Sequence, residues 1–363
     1  MRVLIVKVSS LGDIIHTLPA VTDAKRANRR LVFDWVVEEN FVEVPAWHPA
    51  VDRVIPVALR RWRKNLMKTF RSGEFKSFKH ELKLEHYDLI IDAQGLIKSG
   101  IISRLAKGLT VGLSNSTIKE PLATLFYNKM YSVPKDEHAV QRVRELFSRA
   151  LNYPLHQEDL ERIDYGLDLK RIGIDAAEHQ AGSLIFLHGT TWDTKHWPQS
   201  YWRELARLAT AQGYTVSLPW GNLREKERAH SIAKGIEGVS VLPQQNLTGM
   251  ARHIAAADAV VGVDTGLCHL AAALDTPTLT LFGPTNSGLS GTFGHYQERL
   301  SSQFACSPCM AKKCSYEGEP VFVEFLDRKA VIEPPCFSSN PPSKVLQHMQ
   351  ELIAKKQRSV ALS

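Results

Sequence analysis

Residues 259–282 read AVVGVDTGLCHLAAALDTPTLTLF. Two short apolar runs, AVVGV (259–263) and TLTLF (278–282), flank a segment whose small and apolar residues suit a helix over 267–274. Neither run alternates polar and apolar residues as a strand with one wet face does, so both are expected to be covered on two sides. Two strands joined by a helix run parallel, because a crossover is needed to return the chain to the same end of the sheet. The stretch therefore predicts a βαβ unit, with helices packed on both faces of a parallel sheet.

The same rhythm extends outward in both directions. Strands are expected at SLIFLH (183–188), YTVSL (214–218) and VSVL (239–242), with helices over 199–212, 224–234 and 248–257. The first half repeats the pattern with VLIVKV (3–8), LVFDWVV (31–37), RVIPV (53–57), YDLIIDA (87–93) and TVGL (110–113), and with helices near 20–27, 95–107 and 138–150. The expected fold class is α/β, with two doubly wound domains facing across a cleft and the site at the strands' C-terminal ends. The domains are drawn at 1–160 and 183–340, with a polar linker over 161–182. A helix around SKVLQHMQELIAKK (343–356) and a tail occupy 341–363. No repeat of 20–50 residues is present.

Composition narrows the classes further. With 363 residues, 44% hydrophobic and 23% charged, the chain is of enzyme size and neither disordered nor fibrous. No apolar run reaches the roughly 18 residues of a membrane span. Lys7 and SSLGD (9–13) cut the apolar start too short for a signal peptide, which makes the cytoplasm the expected location. The net charge of +7 is local: between Arg60 and Lys79 eight Lys/Arg face only Glu74, and the rest of the chain balances. That segment is an anion-binding candidate. Trp62, Leu66 and Phe70, spaced i, i+4, i+8, would share one helix face, which could also simply dock on its own domain.

Two loops of the second half suit a diphosphate. In HGTTWDTKHWP (188–198), Thr190 and Thr191 offer hydroxyls, Gly189 allows close approach, Lys195 supplies charge, and Pro198 suits a helix's first turn. A capped turn is the alternative. In VDTGLCHLAAAL (263–274), Thr265 and Gly266 open a helix whose N-terminus favours an anion. Neither loop is G-x-x-x-x-G-K-[ST] or G-x-G-x-x-G, which argues against P-loop hydrolysis and dinucleotide binding. In WGNLREKER (220–228), Glu225 could accept bonds from a ribose or form a solvated charge pair. SSLGD puts Asp13 where a phosphate loop would hold its anion. Asp13 is either a helix cap or a general base that deprotonates an acceptor hydroxyl. Pro19 implies a kink or a fresh helix start.

Taken together, SSLGDIIHTLPA, FDWVVEE, RRWRK, IDAQGL, KEPLATLFYN, TTWDTKHWP and VDTGLCHLAAALDTPT resemble glycosyltransferase family 9, the bacterial heptosyltransferases. The similarity covers roughly residues 1–300, and HTLPA after LGD favours the type I members over type II. The resemblance implies a GT-B fold of two Rossmann-like domains. It also implies inverting transfer of L-glycero-D-manno-heptose from ADP-heptose to Kdo of the lipopolysaccharide inner core (Kdo–lipid A). Carried over by position, Asp13 is the catalytic base and Lys195 joins it. Thr190, Thr191 and Lys195 hold the diphosphate, Glu225 holds the ribose, and Asp264, Thr265, Gly266 and His269 form the nucleotide-sugar loop. Arg60, Arg61, Arg63, Lys64, Lys98 and Lys119 fall where the family meets its anionic acceptor. The implied setting is the cytoplasmic face of the inner membrane, peripherally bound, as a monomer without nucleic acid. Absence of Asp-x-Asp, with a lysine and helix N-termini for the leaving diphosphate, leads us to expect no catalytic metal and no cofactor. Rival readings are another family 9 step, a GT-B nucleotide-sugar epimerase, or a nucleic-acid binder using the Arg60–Lys79 stripe.

Five cysteines complete the reading, four of them late: Cys306, Cys309, Cys314 and Cys336. Their C-x2-C-x4-C-x21-C spacing permits a four-thiolate zinc or iron–sulfur site, but it is not a tight zinc-ribbon spacing, and the expectation is no metal. Cys268 reads as a packing residue, and His138, His188 and His196 as core or capping histidines.

Overall fold

Apolar strands separated by amphipathic helices build two sheets in the computed structural model, which describes residues 1–175, 179–325 and 328–361. The side chains of Leu66, Lys68, Phe70, Gln157, Leu160, 324, 325, 328–330 and Val360 are not described, nor are three residues (176–178) of the expected linker. The chain divides into two compact units, Met1–Ile172 and Gly173–Ser363.

The first unit holds six parallel strands: β1 (Arg2–Val6), β2 (Val32–Glu38), β3 (Val51–Val57), β4 (His86–Asp92), β5 (Lys107–Leu113) and β6 (Lys129–Tyr131), in the order β3-β2-β1-β4-β5-β6. β1 is central and its Val3, Leu4, Ile5 and Val6 are wholly buried, which explains its continuous apolar run. The register sets Val6 beside Val36 on one side and Asp92 on the other, so the loops after β1, β2 and β4 emerge at one end. Helix Leu11–Ile15 stops at His16, and a new helix, Leu18–Ala27, starts with Pro19 in its first turn.

The second unit repeats this plan with β7 (Gln180–Leu187), β8 (Thr215–Leu218), β9 (Val239–Val241), β10 (Ala257–Val263), β11 (Thr278–Phe282) and β12 (Gln297–Ser301), in the order β12-β11-β10-β7-β8-β9. All five pairings are parallel. In each sheet the strand order reverses at the centre, between β1 and β4 and between β7 and β10. The crevice at the carboxyl ends of such a pair is where doubly wound sheets bind ligands. The helix Pro342–Ala361 buries Val345, Leu346, Met349 and Ile353 in the second core, beside Trp197 and Trp202.

The edge strands β6 and β12 and a short hairpin escaped the pattern reading. β6 and β12 are edge strands with little buried apolar surface, and QERLS buries only Leu300. Residues 302–321 form neither helix nor strand, and an antiparallel hairpin, β13 (Phe322–Phe325) with β14 (Arg328–Val331), follows.

Candidate active site

At the first switch point the turn after β1 folds by local capping. Asp13 is the third residue of helix Leu11–Ile15. Its Oδ2 accepts from the Ser10 backbone N–H at 2.7 Å and from Ser10 Oγ at 2.9 Å. Its Oδ1 faces Lys7 Nζ at 3.9 Å, and the side chain is 44% exposed. Capping thus occupies one oxygen, and a carboxylate that caps with one oxygen retains a second. Lys7 is buried and donates to Ala93 O at 2.8 Å. Burial pushes its pKa down, while the charges of Asp13 and Asp92 push it up; Lys119 and Arg142 lie near enough to act on it as well.

The loop after β4 locks against the same turn. Gln94 Oε1 accepts from Val8 N and Ser9 N, both at 3.0 Å. Buried Asp92 shapes that loop by accepting from the Gln94 and Gly95 amides, Ser99 Oγ and Tyr127 Oη, between 2.7 and 3.0 Å. Gly95 needs its left-handed φ of +69°, and a Cβ there would also press Ile118, next to Lys119. From β2, Glu38 N donates to Val8 O, while its side chain accepts from Arg60 N at 3.0 Å, tying the RRWRK helix to the turn.

The basic segment differs from expectation. The helix breaks at Asn65, between Leu59–Lys64 and Leu66–Ser72, so residues 62–70 are not one continuous helix face. Trp62 is buried, edge-on to Phe75 and Phe78, and donates to Glu74 Oε2 at 2.8 Å; the docking alternative holds for it. Leu66 and Phe70 lie outside the described side chains. Arg61 is held by Glu39 at 2.9 Å and Glu74 at 2.7 Å. Arg60, Arg63, Lys64, Lys98 and Lys119 are exposed.

The second switch point carries the opposite chemistry. β7 and β10 end side by side, Leu187 against Gly262. Their loops are joined by Thr190 Oγ1, which donates to Asp264 O at 3.2 Å, and by Lys195 Nζ, 2.7 Å from Asp264 Oδ2. Thr285, after β11, donates to the same oxygen at 2.8 Å. Lys195 also lies 4.5 Å from the Trp192 ring centroid. Thr265 is the N-cap of helix Gly266–Ala273 without a side-chain cap bond. Thr191 is exposed, and His269 is buried within that helix. Glu225 Oε2 accepts from Gly221 N at 2.7 Å and packs on Gly189, where a Cβ would come within 2.8 Å of its carboxyl carbon.

The histidines are structural. His188 and His196 are both pushed down to about 4, first by burial and then by the Arg228 charge. His138 Nδ1 accepts from Val140 N and caps helix Ala139–Leu151. Lys7, Gln94, Arg142, Trp192 and Thr285 were missed by sequence reasoning. Only Lys7 left a signal, as a charge within an apolar strand run.

Comparison with known proteins closes the assignment. The profile of Glycosyltransferase family 9 (heptosyltransferase) matches residues 75–319. Lipopolysaccharide heptosyltransferase 1 of Pseudomonas aeruginosa is 52% identical over 97% of this chain and 98% of its own length. The structure of E. coli heptosyltransferase WaaC with ADP superposes with a TM-score of 0.77 at 48% identity, covering 83% of this chain and 93% of that one. The same E. coli enzyme with ADP-2-deoxy-2-fluoro heptose gives 0.75 at 46% identity, with the same coverage of both chains. Two parallel sheets of identical order, each with a built loop cluster at its switch point, agree with these likenesses: the chain belongs to glycosyltransferase family 9, the heptosyltransferases.

Proposed function

We propose that the chain transfers L-glycero-D-manno-heptose from ADP-heptose to Kdo of Kdo–lipid A with inversion, and that Asp13 is the general base. The observation that carries this reading is the sorting of charge. The first switch point presents a carboxylate oxygen facing Lys7, and the second a pinned lysine beside an uncapped helix N-terminus. The acceptor hydroxyl attacks the anomeric carbon as Asp13 Oδ1 takes its proton. The bond from that carbon to the diphosphate oxygen breaks, and ADP leaves with the electron pair. Lys195, Thr190, Thr191 and the Thr265–Gly266 amides offset the charge growing on the diphosphate. Glu225 accepts from the ribose hydroxyls, and Asp264 orients Lys195. A single in-line displacement inverts the anomeric centre. The ADP-heptose analogue bound by the E. coli enzyme supports this donor.

On the acceptor side, Arg60, Arg63, Lys64, Lys98 and Lys119 meet carboxylates and lipid phosphates. Arg61 contributes through its two glutamates, which fix the helix. Among the described residues no helix is long and apolar enough to cross a membrane. Ile97, Ile101, Leu122 and Leu125 are nevertheless exposed around Lys98 and Lys119, a surface suited to the cytoplasmic face of the inner membrane. The test is heptose incorporation and ADP release with Kdo–lipid A, with lipid A lacking Kdo, and with no acceptor. Turnover is expected only with Kdo present. Isomerisation of ADP-heptose without acceptor, or equal transfer to Kdo-free lipid A, would overturn the reading.

A further inference from the structure

Twenty residues, 302–321, run without helix or strand between β12 and the hairpin, long for a structureless stretch in a folded domain. Cys306, Cys309 and Cys314 are exposed within it, while Cys336 is buried on the short turn Pro335–Ser339. All four cysteines line one cavity of about 200 Å³. The base of that cavity is fixed: Cys336 packs under Gly283 at the end of β11, where a Cβ would come within 3.0 Å of its sulfur. Among the described residues no three His, Cys, Asp or Glu side chains are arranged to hold a metal ion, so the four cysteines share a cavity here without being gathered into a ligand set.

We propose that Cys306, Cys309, Cys314 and Cys336 hold one thiophilic divalent ion, zinc or ferrous iron, in a four-thiolate site on which the loop closes. This site is structural, and it reverses the sequence-based expectation of no metal. Four soft sulfur ligands select these ions over magnesium or calcium. A clip across the long loop removes much of its freedom in the unfolded chain. On binding, each thiol releases its proton to solvent and its sulfur gives a lone pair to the ion. Lys312 and Lys313, between the second and third cysteines, offset the resulting negative charge.

The clip reaches the donor loop. Ala311 O accepts from Thr194 Oγ1 at 2.7 Å, and Lys312 Nζ lies 5.4 Å from the same Trp192 ring that Lys195 covers. Loss of the ion therefore weakens ADP binding, a consequence that rests on the donor-site reading above.

Elemental analysis of the full chain, purified without added metal, should find about one equivalent of zinc or iron, and it identifies which. The Cys309→Ser/Cys314→Ser double variant should lose it. If that variant does not fold, the wild-type protein stripped by a chelator and titrated with Co²⁺ should show thiolate-to-cobalt charge-transfer absorption and tetrahedral d–d bands saturating at one equivalent. Less than a tenth of an equivalent of both metals, together with no cobalt–thiolate band, would overturn the site. A loaded site whose removal leaves ADP affinity unchanged would overturn the coupling to the donor loop alone.

Discussion

The two switch points share one topology and hold opposite charges. After β1 the chain places a carboxylate at the start of a helix, and after β7 it places a lysine ahead of one. The same strand order supplies the same crevice, and loop residues decide what enters it. At Asp13 a carboxylate completes a capping box, which a bound phosphate would oppose. At Asp264 the carboxylate is turned onto Lys195 and Thr285, leaving the amides after Thr265 for an anion. In the mechanism we propose, this difference divides the labour: one unit handles the proton, and the other handles the leaving group.

That division can be broken at either end. Asp13→Asn keeps the cap's shape but removes the base, so kcat should fall by roughly 10²–10⁴ with ADP-heptose binding unchanged by calorimetry. Retained turnover would sink the base assignment. Lys195→Ala should lower kcat by about 10²–10³ and weaken ADP as well, because it removes charge from the leaving group in both ground and transition states. Stopped-flow separation of binding from turnover distinguishes the two variants.

Acid should also tell the halves apart. His188 is held near 4 in the folded second unit and His48 near 4 in the first, both chiefly by burial. Their unfolded pKa is about 6.5, so between these values the unfolded chain binds the extra proton. Stability is therefore full above pH 6.5 and is lost as pH falls toward 4, on the order of 2 kcal/mol per histidine by pH 5. The second unit carries His196 beside His188, both near Arg228, and should be destabilised first. Urea midpoints flat between pH 8 and 5 would contradict this.

Smaller effects sharpen the map. Gly189→Ala drives a methyl into the Glu225 carboxyl and should raise the KM for donor roughly tenfold with little change in kcat. Smallest of all, Arg61→Ala should alter the KM for Kdo–lipid A less than Arg63→Ala does, because Glu39 and Glu74 already hold Arg61. Acceptor titrations of the two variants decide the order.

Much of the architecture was legible because buried parallel strands write continuous apolar runs, and ten of the twelve sheet strands left such a run. The two that did not, β6 and β12, are edge strands that bury almost no apolar side chains. The loops after β7 and β10 were legible as strand-to-helix turns because turn chemistry is local: Gly, Thr, Lys and Pro at fixed offsets. The basic segment was only half legible. Charge density is a property of sequence, whereas the fate of each charge depends on partners such as Glu39, far outside any local window.

The sequence by itself determined the two-sheet α/β plan, because periodicity and turn chemistry act over a few residues; it also pointed to the base candidate in SSLGD and the two candidate anion loops, and its combined motifs carried the resemblance to the family. Only tertiary structure decided that Trp62 is core, that Lys7 stands against Asp13, that Asp264 pins Lys195, and that four cysteines up to 30 positions apart share one cavity. Those pairings depend on where parallel strands end relative to one another. That is set by register across the whole sheet, which no short stretch contains.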